Sequence, residues 1–483
     1  MNNIRLLEIK FLIILIIMLL IIFLKKYFMN KIINLKKLTK IVDGKLIGKN
    51  IDILNFSINS KNIYFKCLFI AIRGKKFDGH NFVQDAINNG ALAIIVDKYL
   101  EVSIPQIIVL NTIISLGKIS LWKRLQSKSH FIGITGSSGK TSVKEMTASI
   151  LKNVGKVLFT KDNMNNIIGV SLTLLNLNNQ YKYVIIELGA NNLSDIKYSA
   201  NLVRPNTALV NNISISHLEG FKSFKNIFRC KNHIFKYLLN NDRAIINLDD
   251  INHKKILHKL INKKIWSFSI KNHNADFFTT NLKILQNKIC FNLHTPIGVI
   301  FISLFIIGGF HNVSNALAAS ALSLSAGASL IDISKGLASF KSISGRLFPI
   351  RLGHNKLILN DTYNANPQSV IAAINVLKRM NGKKILVIGD MMELGLYSFF
   401  YHNKIKNFII KSNLDFILSI GIYSKYITKY HNNSEHFLNK KKLIIKLIKI
   451  LTNLNNFTIL FKGSRKAQIE VLINMLLEQE QFK

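Results

Sequence analysis

Short apolar runs that end in polar or glycine-rich residues recur along this chain, and between them apolar positions return every three to four residues. Apolar runs bounded by turn chemistry read as buried strands, and the longer spacing reads as helices. Residues 67–72 and 91–96 are the first strands, with a helix over 82–89 between them. His130–Thr135, Tyr183–Glu187, 207–212 and 244–247 follow, then Lys356–Asp361, 384–390, 416–421 and 457–463. Alternating strands and helices imply an α/β fold with mainly parallel sheets. Three blocks are expected: a small α/β unit over 29–110, a central mononucleotide-binding parallel-sheet unit over 111–343, and a Rossmann-like, doubly wound unit over 344–483. Ligands of such sheets sit beyond the carboxyl ends of strands, where polar residues crowd here.

One of these strand ends carries recognisable chemistry. Residues 131–146 read F-I-G-I-T-G-S-S-G-K-T-S-V-K-E-M. Gly136 and Gly139 allow a tight turn whose N–H groups face inward, where with Ser137 and Ser138 they can meet phosphate oxygens. Thr141 opens a helix whose Val143, Met146, Ile150 and Leu151 share a face, and the helix N-terminus adds a positive dipole end. Lys140 would neutralise the β- and γ-phosphates and Thr141 would place a hydroxyl on Mg²⁺. Ile134 stands where the eight-residue pattern has its first glycine, so this is the shorter G-S-S-G-K-T form. It predicts an ATP user.

The net charge of +40 first suggests nucleic acid or an anionic membrane. The lysines are spread along the whole chain with abundant isoleucine and asparagine, residues that share A/T-rich codons. Aromatic residues do not interleave with basic clusters, so no specific nucleic-acid partner is expected. Cys67, Cys230 and Cys290 lie far apart and form no C-x-x-C pair, which suits buried thiols in a reducing compartment. The apolar run 11–24 would span about 21 Å as a helix, short of a bilayer core of about 30 Å. Two readings stand for it: a non-native or dispensable start before Met29, or a membrane tether with the catalytic body in the cytoplasm. Membrane association is expected only through this run.

Three more positions lie in the block with the phosphate loop. Glu187 ends its strand in E-L-G-A-N and could hold a nucleotide-bound Mg²⁺. His217 follows another strand in N-N-I-S-I-S-H-L-E-G. Lys231 lies in R-C-K-N-H-I-F. Taken singly, these read as a strand-end acid, a structural histidine and a solvated lysine.

Together with the motifs around them, they make the chain resemble the Mur ligases, the ATP-dependent amide-forming family of peptidoglycan precursor synthesis. The resemblance runs from about residue 29 to the end. Besides the phosphate loop it rests on Asn163-Met-Asn-Asn166, I-E-L-G-A-N and N-N-I-S-I-S-H-L-E-G-F. G-F-H-N-V-S-N-A-L-A-A, S-G-R-L-F-P-I, N-D-T-Y-N-A-N-P-Q-S, G-D-M-M-E-L-G and K-G-S-R complete the ordered set. Y-N-A-N-P and D-M-M-E-L-G, with no D-N-P-R, favour the member that adds D-alanyl-D-alanine to UDP-N-acetylmuramoyl-tripeptide over the one that adds the third amino acid.

The resemblance implies roles residue by residue. Lys140 and Thr141 would serve the phosphates and one Mg²⁺. Glu187 and His217 would serve a second Mg²⁺, and Lys231 would carry a carbamate made from CO₂. Asn312 and Asn315 would meet the adenine, while Arg346 and Asp361 would reach the nucleotide from the third domain. Tyr363, Asn364, Asn366, Ser464 and Arg465 would line the substrate side. Ser464, before an expected helix, would seat an anionic group. Ser60, Asp78, His80, Asn163 and Asn166 would contribute to binding the UDP-linked substrate. A cytoplasmic monomer is expected. Three departures stand out: Asn59-Ser60-Lys61 replaces an aspartate–hydroxyl–arginine triplet, Lys66 stands where glycine is usual, and His233 stands where glutamate is usual. The last is expected to put a cation near the metal site.

Overall fold

The computed structural model describes residues 32–74, 77–429 and 431–479. The apolar run at 11–24 lies outside the described residues. Among those residues, no helix is long and apolar enough to cross a membrane. They form two compact units. One holds the described residues up to His130, with Lys156–Ile186 and Asn201–Val203. The other holds Phe131–Gly155, Glu187–Ala200 and the described residues from Arg204 onward.

The first unit is built on β1 (Lys45–Ile47), β2 (Asn55–Ser57), β3 (Cys67–Ile70), β4 (Ala93–Val96) and β5 (Gln106–Ile108), in the order β1-β5-β4-β3-β2. Only β1 runs antiparallel. Strands β3 and β4 are buried throughout, because both faces of the sheet are covered. Leu68, Ile70, Ala93 and Ile95 pack with Leu116 and Ile119 of helix α1 (Thr112–Gln126). Phe69, Ala71, Ile94 and Val96 pack on the opposite face with Val83 and Ala86. The helix expected over 82–89 is a 3-10 turn, Gly79–Phe82, leading into Val83–Asn88. Leading into β3, Lys66 adopts the left-handed conformation (φ 48°), and its carbonyl accepts from both Leu54 N–H and Asn55 N–H. That geometry explains why glycine suits the position: a side chain there is strained.

In the second unit β6 (His130–Thr135) leads through the glycine loop into α2 (Lys140–Leu151). Parallel neighbours follow as β7 (Thr207–Val210), β8 (Arg243–Asn247) and β9 (Lys264–Phe268). Helix α3 (Phe224–Asn232) lies between β7 and β8 in the chain. The expected face of α2 is the buried one: Val143, Met146 and Ile150 are fully covered, as is Leu151. A meander of β10 (Phe278–Ile284), β11 (Ile289–Thr295) and β12 (Gly298–Leu304) interrupts the parallel pattern. It precedes α4 (Phe310–Ser325), which packs along α2.

The chain then builds a six-stranded sheet from β13 (Phe348–Arg351), β14 (Lys356–Asp361), β15 (Lys383–Gly389), β16 (Phe416–Ile420), β17 (Ser434–Phe437) and β18 (Phe457–Lys462). Its order is β13-β14-β18-β15-β16-β17, and only β13 is antiparallel. Helix α5 (Pro367–Leu377) follows β14, capped by Asn366 and with proline in its first turn, where the missing N–H costs nothing. All three cysteines are buried thiols.

Candidate active site

The phosphate loop leaves β6 at Gly136 (φ 154°) and enters α2 at Gly139 (φ 79°). A Cβ on Gly139 would fall 2.5 Å from Asn211 Nδ2 and Asn315 Oδ1, so only glycine fits. Two asparagines just beyond β7 brace the loop. Asn211 donates to Ser138 O (3.0 Å) and to Asn315 Oδ1 (3.1 Å). Asn212 Oδ1 accepts from Ser138 N–H (2.9 Å). Ser137 Oγ donates to Ser214 O (2.8 Å) and accepts from Ser214 N–H (2.9 Å). Asn211, Asn212 and Ser214 sit in a motif singled out from sequence without a role. Their signal was their place at a strand end.

Thr141 Oγ1 donates to Glu187 Oε2 (2.8 Å) and accepts from Arg346 Nη2 (2.7 Å). Glu187 is buried at the carboxyl end of its strand. The Thr141 hydroxyl and this carboxylate form a hard-oxygen pair that suits Mg²⁺ sharing its remaining positions with phosphate and water. No group of three His, Cys, Asp or Glu side chains converges on a metal position among the described residues.

Two lysines meet at one carbonyl: Lys140 Nζ donates to Gly136 O at 2.9 Å and Lys231 Nζ, from α3, at 3.0 Å. Burial pushes Lys231 down to about 7, and the charge of Lys140 adds to the effect. Burial lowers Lys140 as well, against the opposing pull of Glu187. At neutral pH, Lys231 therefore carries a free amine in about half of the molecules.

Further along the chain, the Arg346 guanidinium lies 4.2 Å from the Tyr363 ring centroid. Asp361 accepts from Leu347 N–H (3.2 Å) and pairs with Lys462 Nζ (2.6 Å), which also donates to Asn364 O. Lys462 was not assigned from sequence because the apolar run around it reads simply as strand β18. Asn366 donates to Ser138 Oγ (3.0 Å) while capping α5. A cavity of about 650 Å³ is lined by the phosphate loop, Asn312, Asn315, Arg346, Asp361 and Tyr363. Its volume suits a nucleotide. Asn247, Asp249, Ile251 and Ile270 are also part of its wall.

Several expected residues are engaged elsewhere. Asn312 accepts from Gly309 N–H (3.0 Å) at the start of α4, and Asn315 holds Asn211, although both line the cavity. His217 is 2.6 Å from Glu393 Oε2. Ser464 is buried with Oγ accepting from Met392 N–H (2.8 Å), and Arg465 pairs with Glu470. A three-residue 3-10 turn follows Ser464 and the helix Glu470–Leu477 begins only after it, so the helix N-terminus does not lie at Ser464. His233 is no cation: burial and then the charges of Lys197, Lys236, Arg229 and Lys259 lower it, so its imidazole is neutral at pH 7.

In the other unit, His80 is buried between Asp78 Oδ1 (2.6 Å) and Asp97 N–H (3.1 Å), and Arg73 reaches both aspartates. Asn59 Oδ1 accepts from Lys61 N–H and keeps the turn that an aspartate would make. Ser60 is buried and its carbonyl accepts from Asn89. Asn166 caps the helix Ile167–Leu175, and Asn163 O accepts from Asn165 N–H. These groups shape their loops first.

The model of the Mur ligase family catalytic domain matches residues 52–121, that of the Mur ligase middle domain 134–323, and that of the Mur ligase glutamate ligase domain 345–465. A UDP-N-acetylmuramoyl-tripeptide–D-alanyl-D-alanine ligase of Buchnera aphidicola subsp. Baizongia pistaciae is 45% identical over 455 residues, covering 92% of this chain and 98% of that protein. Among solved structures, MurF from Acinetobacter baumannii superposes with a TM-score of 0.88 at 33% identity, covering 93% of this chain and 100% of the other. MurF ligase from Thermotoga maritima in complex with ADP gives 0.79 at 27% identity, covering 87% and 96%. With a phosphate loop, a buried strand-end acid and a buried lysine in one site, and three family models matched in order, the chain belongs to the Mur ligase family.

Proposed function

We propose that this enzyme joins D-alanyl-D-alanine to UDP-N-acetylmuramoyl-tripeptide with consumption of ATP, giving the pentapeptide precursor of peptidoglycan. The observation that carries the reading is the Thr141–Glu187–Arg346 cluster beside two buried lysines on the phosphate loop. Near-full-length similarity to ligases named for this reaction supports the choice of substrates.

The residues act mainly by holding charge. The tripeptide carboxylate attacks the γ-phosphorus and ADP departs, leaving an acyl phosphate. The amine of D-alanyl-D-alanine then attacks that carbonyl, loses a proton and expels phosphate. Lys140 and the loop N–H groups would offset phosphate charge, and Arg346 would neutralise charge developing at the transferred group. Thr141 and Glu187 would hold Mg²⁺, which supplies charge neutralisation, with His217 at a second ion. Lys231, depressed to about 7, has the free amine that adds to CO₂ near neutrality. Its carbamate would be an anion suited to the metals. Asp361 and Lys462 fix the segment that bears Tyr363, Asn364 and Asn366. The division at 29–110, 111–343 and 344–483, a cytoplasmic location and a monomeric state belong to the same reading.

Phosphate release should require ATP, UDP-N-acetylmuramoyl-tripeptide and D-alanyl-D-alanine together. Release driven by a free diamino acid with the dipeptide precursor, or by DNA, would sink the assignment.

A further inference from the structure

The loop after β15 touches the histidine-bearing loop in a way the reaction scheme has not used. His217, Glu393 and Lys222 all adopt the left-handed conformation, at φ 52°, 64° and 62°. None is glycine, so each stores strain of the kind that persists where surrounding structure over-determines it. The two loops are joined at their backbones by Glu219 N–H donating to Glu393 O (3.1 Å). They are joined at their side chains by His217 Nδ1 and Glu393 Oε2, 2.6 Å apart. Met391 and Leu394, on either side of Glu393, are buried in the core beneath β15, and Met391 N–H donates to His402 Nε2. Glu393 therefore projects from a segment fixed at both ends. The His217 loop is fixed as well, since Ser214 and Ser216 bond to Ser137 of the phosphate loop.

A carboxylate on Nδ1 has a definite consequence for an imidazole. It holds the proton on Nδ1 and leaves Nε2 as the ring's lone-pair nitrogen, in a fixed orientation. We propose that Glu393 is a positioning residue that sets the tautomer and direction of His217, so that Nε2 is presented to the metal of the bound nucleotide and the loop after β15 becomes part of the site. This rests on the reading of His217 as a metal ligand.

Two measurements test it. With ¹⁵N-histidine labelling, His217 in the wild-type protein should show its proton on Nδ1, and Glu393→Ala should shift it toward the Nε2-protonated tautomer. Titration of Mn²⁺ with ATP, followed by electron paramagnetic resonance, should show affinity about 10–100-fold weaker in Glu393→Ala. Glu393→Gln, whose amide oxygen still accepts from Nδ1–H, should lose less. An unchanged tautomer in Glu393→Ala, or a lowered melting temperature with wild-type Mn²⁺ affinity, would overturn the proposal. His217→Ala separates the two layers: if it binds Mn²⁺–ATP as tightly as wild type, the ligand reading fails, and the metal-presenting role of Glu393 fails with it.

Discussion

Replacing Lys231 with methionine should stabilise the protein while abolishing its activity. Lys231 Nζ is buried beside Lys140, and its affinity for a proton falls from 10.5 to about 7. Unfolding restores the ordinary value, so between pH 7 and 10.5 the unfolded chain binds more protons than the folded one. Stability then rises with pH across that window. The penalty is fully present below pH 7 and vanishes above 10.5. Three and a half units amount to about 5 kcal/mol. Methionine keeps the length and volume of the side chain but loses the hydrogen bond to Gly136 O, worth about 1–3 kcal/mol for a charged donor. That carbonyl still accepts from Lys140. The net expectation is a gain of about 1–3 kcal/mol at pH 7, where about 4 kcal/mol of the penalty is present, turning into no gain or a small loss by pH 10, where only about 1 kcal/mol of it remains. Urea midpoints of wild type and Lys231→Met at both pH values, in CO₂-free buffer, measure it. Bicarbonate should then stabilise the wild type alone. A variant no more stable than wild type at pH 7, with a gap that ignores pH, would mean that Lys231 is an ordinary solvated ammonium.

Lys66→Gly should raise the urea midpoint of the unit containing β3 by the equivalent of about 0.5–1 kcal/mol, since glycine relieves the left-handed strain; Lys66→Val should lower it. Lys462→Met should cost about 3–5 kcal/mol by stranding the Asp361 carboxylate. The double variant with Asp361→Asn should recover much of that loss in a double-mutant cycle.

Local signals were legible in the sequence, and long-range ones were not. The parallel strands announced themselves because their burial on both faces demands unbroken apolar runs, and the phosphate loop because glycine, lysine and threonine stand at fixed positions along one turn. The meander of β10 to β12 was missed for the opposite reason: Val299 and Phe301 are exposed, so apolar residues there do not mark the core. The helix expected directly after Ser464 is displaced: a 3-10 turn intervenes and the helix begins only at Glu470, an offset that small residues alone do not reveal. His233 looked like an added cation. Its charge state is set first by burial, and then by Lys197 and Lys259 from elsewhere in the chain together with Lys236 and Arg229 close by in sequence, and one-dimensional spacing displays neither the burial nor the distant charges. Lys66 is intermediate: resemblance marked the site as one for glycine, but only its φ supplies the reason. The pairings of Lys462 with Asp361 and of Glu393 with His217 span too much chain to be read from any motif.

The polar groups assigned to phosphate and metal already have protein partners. Lys140 and Lys231 share Gly136 O, Thr141 lies between Glu187 and Arg346, and Asn366 holds Ser138. Nucleotide binding is therefore an exchange of hydrogen bonds, in which each replacement is worth only about 0.5–1.5 kcal/mol net between neutral groups. The exchange favours one kind of ligand. A bare polyphosphate would satisfy both lysines and Arg346, but it would bring like charge against the buried carboxylate of Glu187. A polyphosphate carrying a divalent cation would satisfy the lysines and would also offer Glu187 and Thr141 a cation in place of the bond that Thr141 accepts from Arg346. On the proposed reading, Glu187 would therefore make the metal complex, rather than the free nucleotide, the species for which the internal bonds given up are replaced.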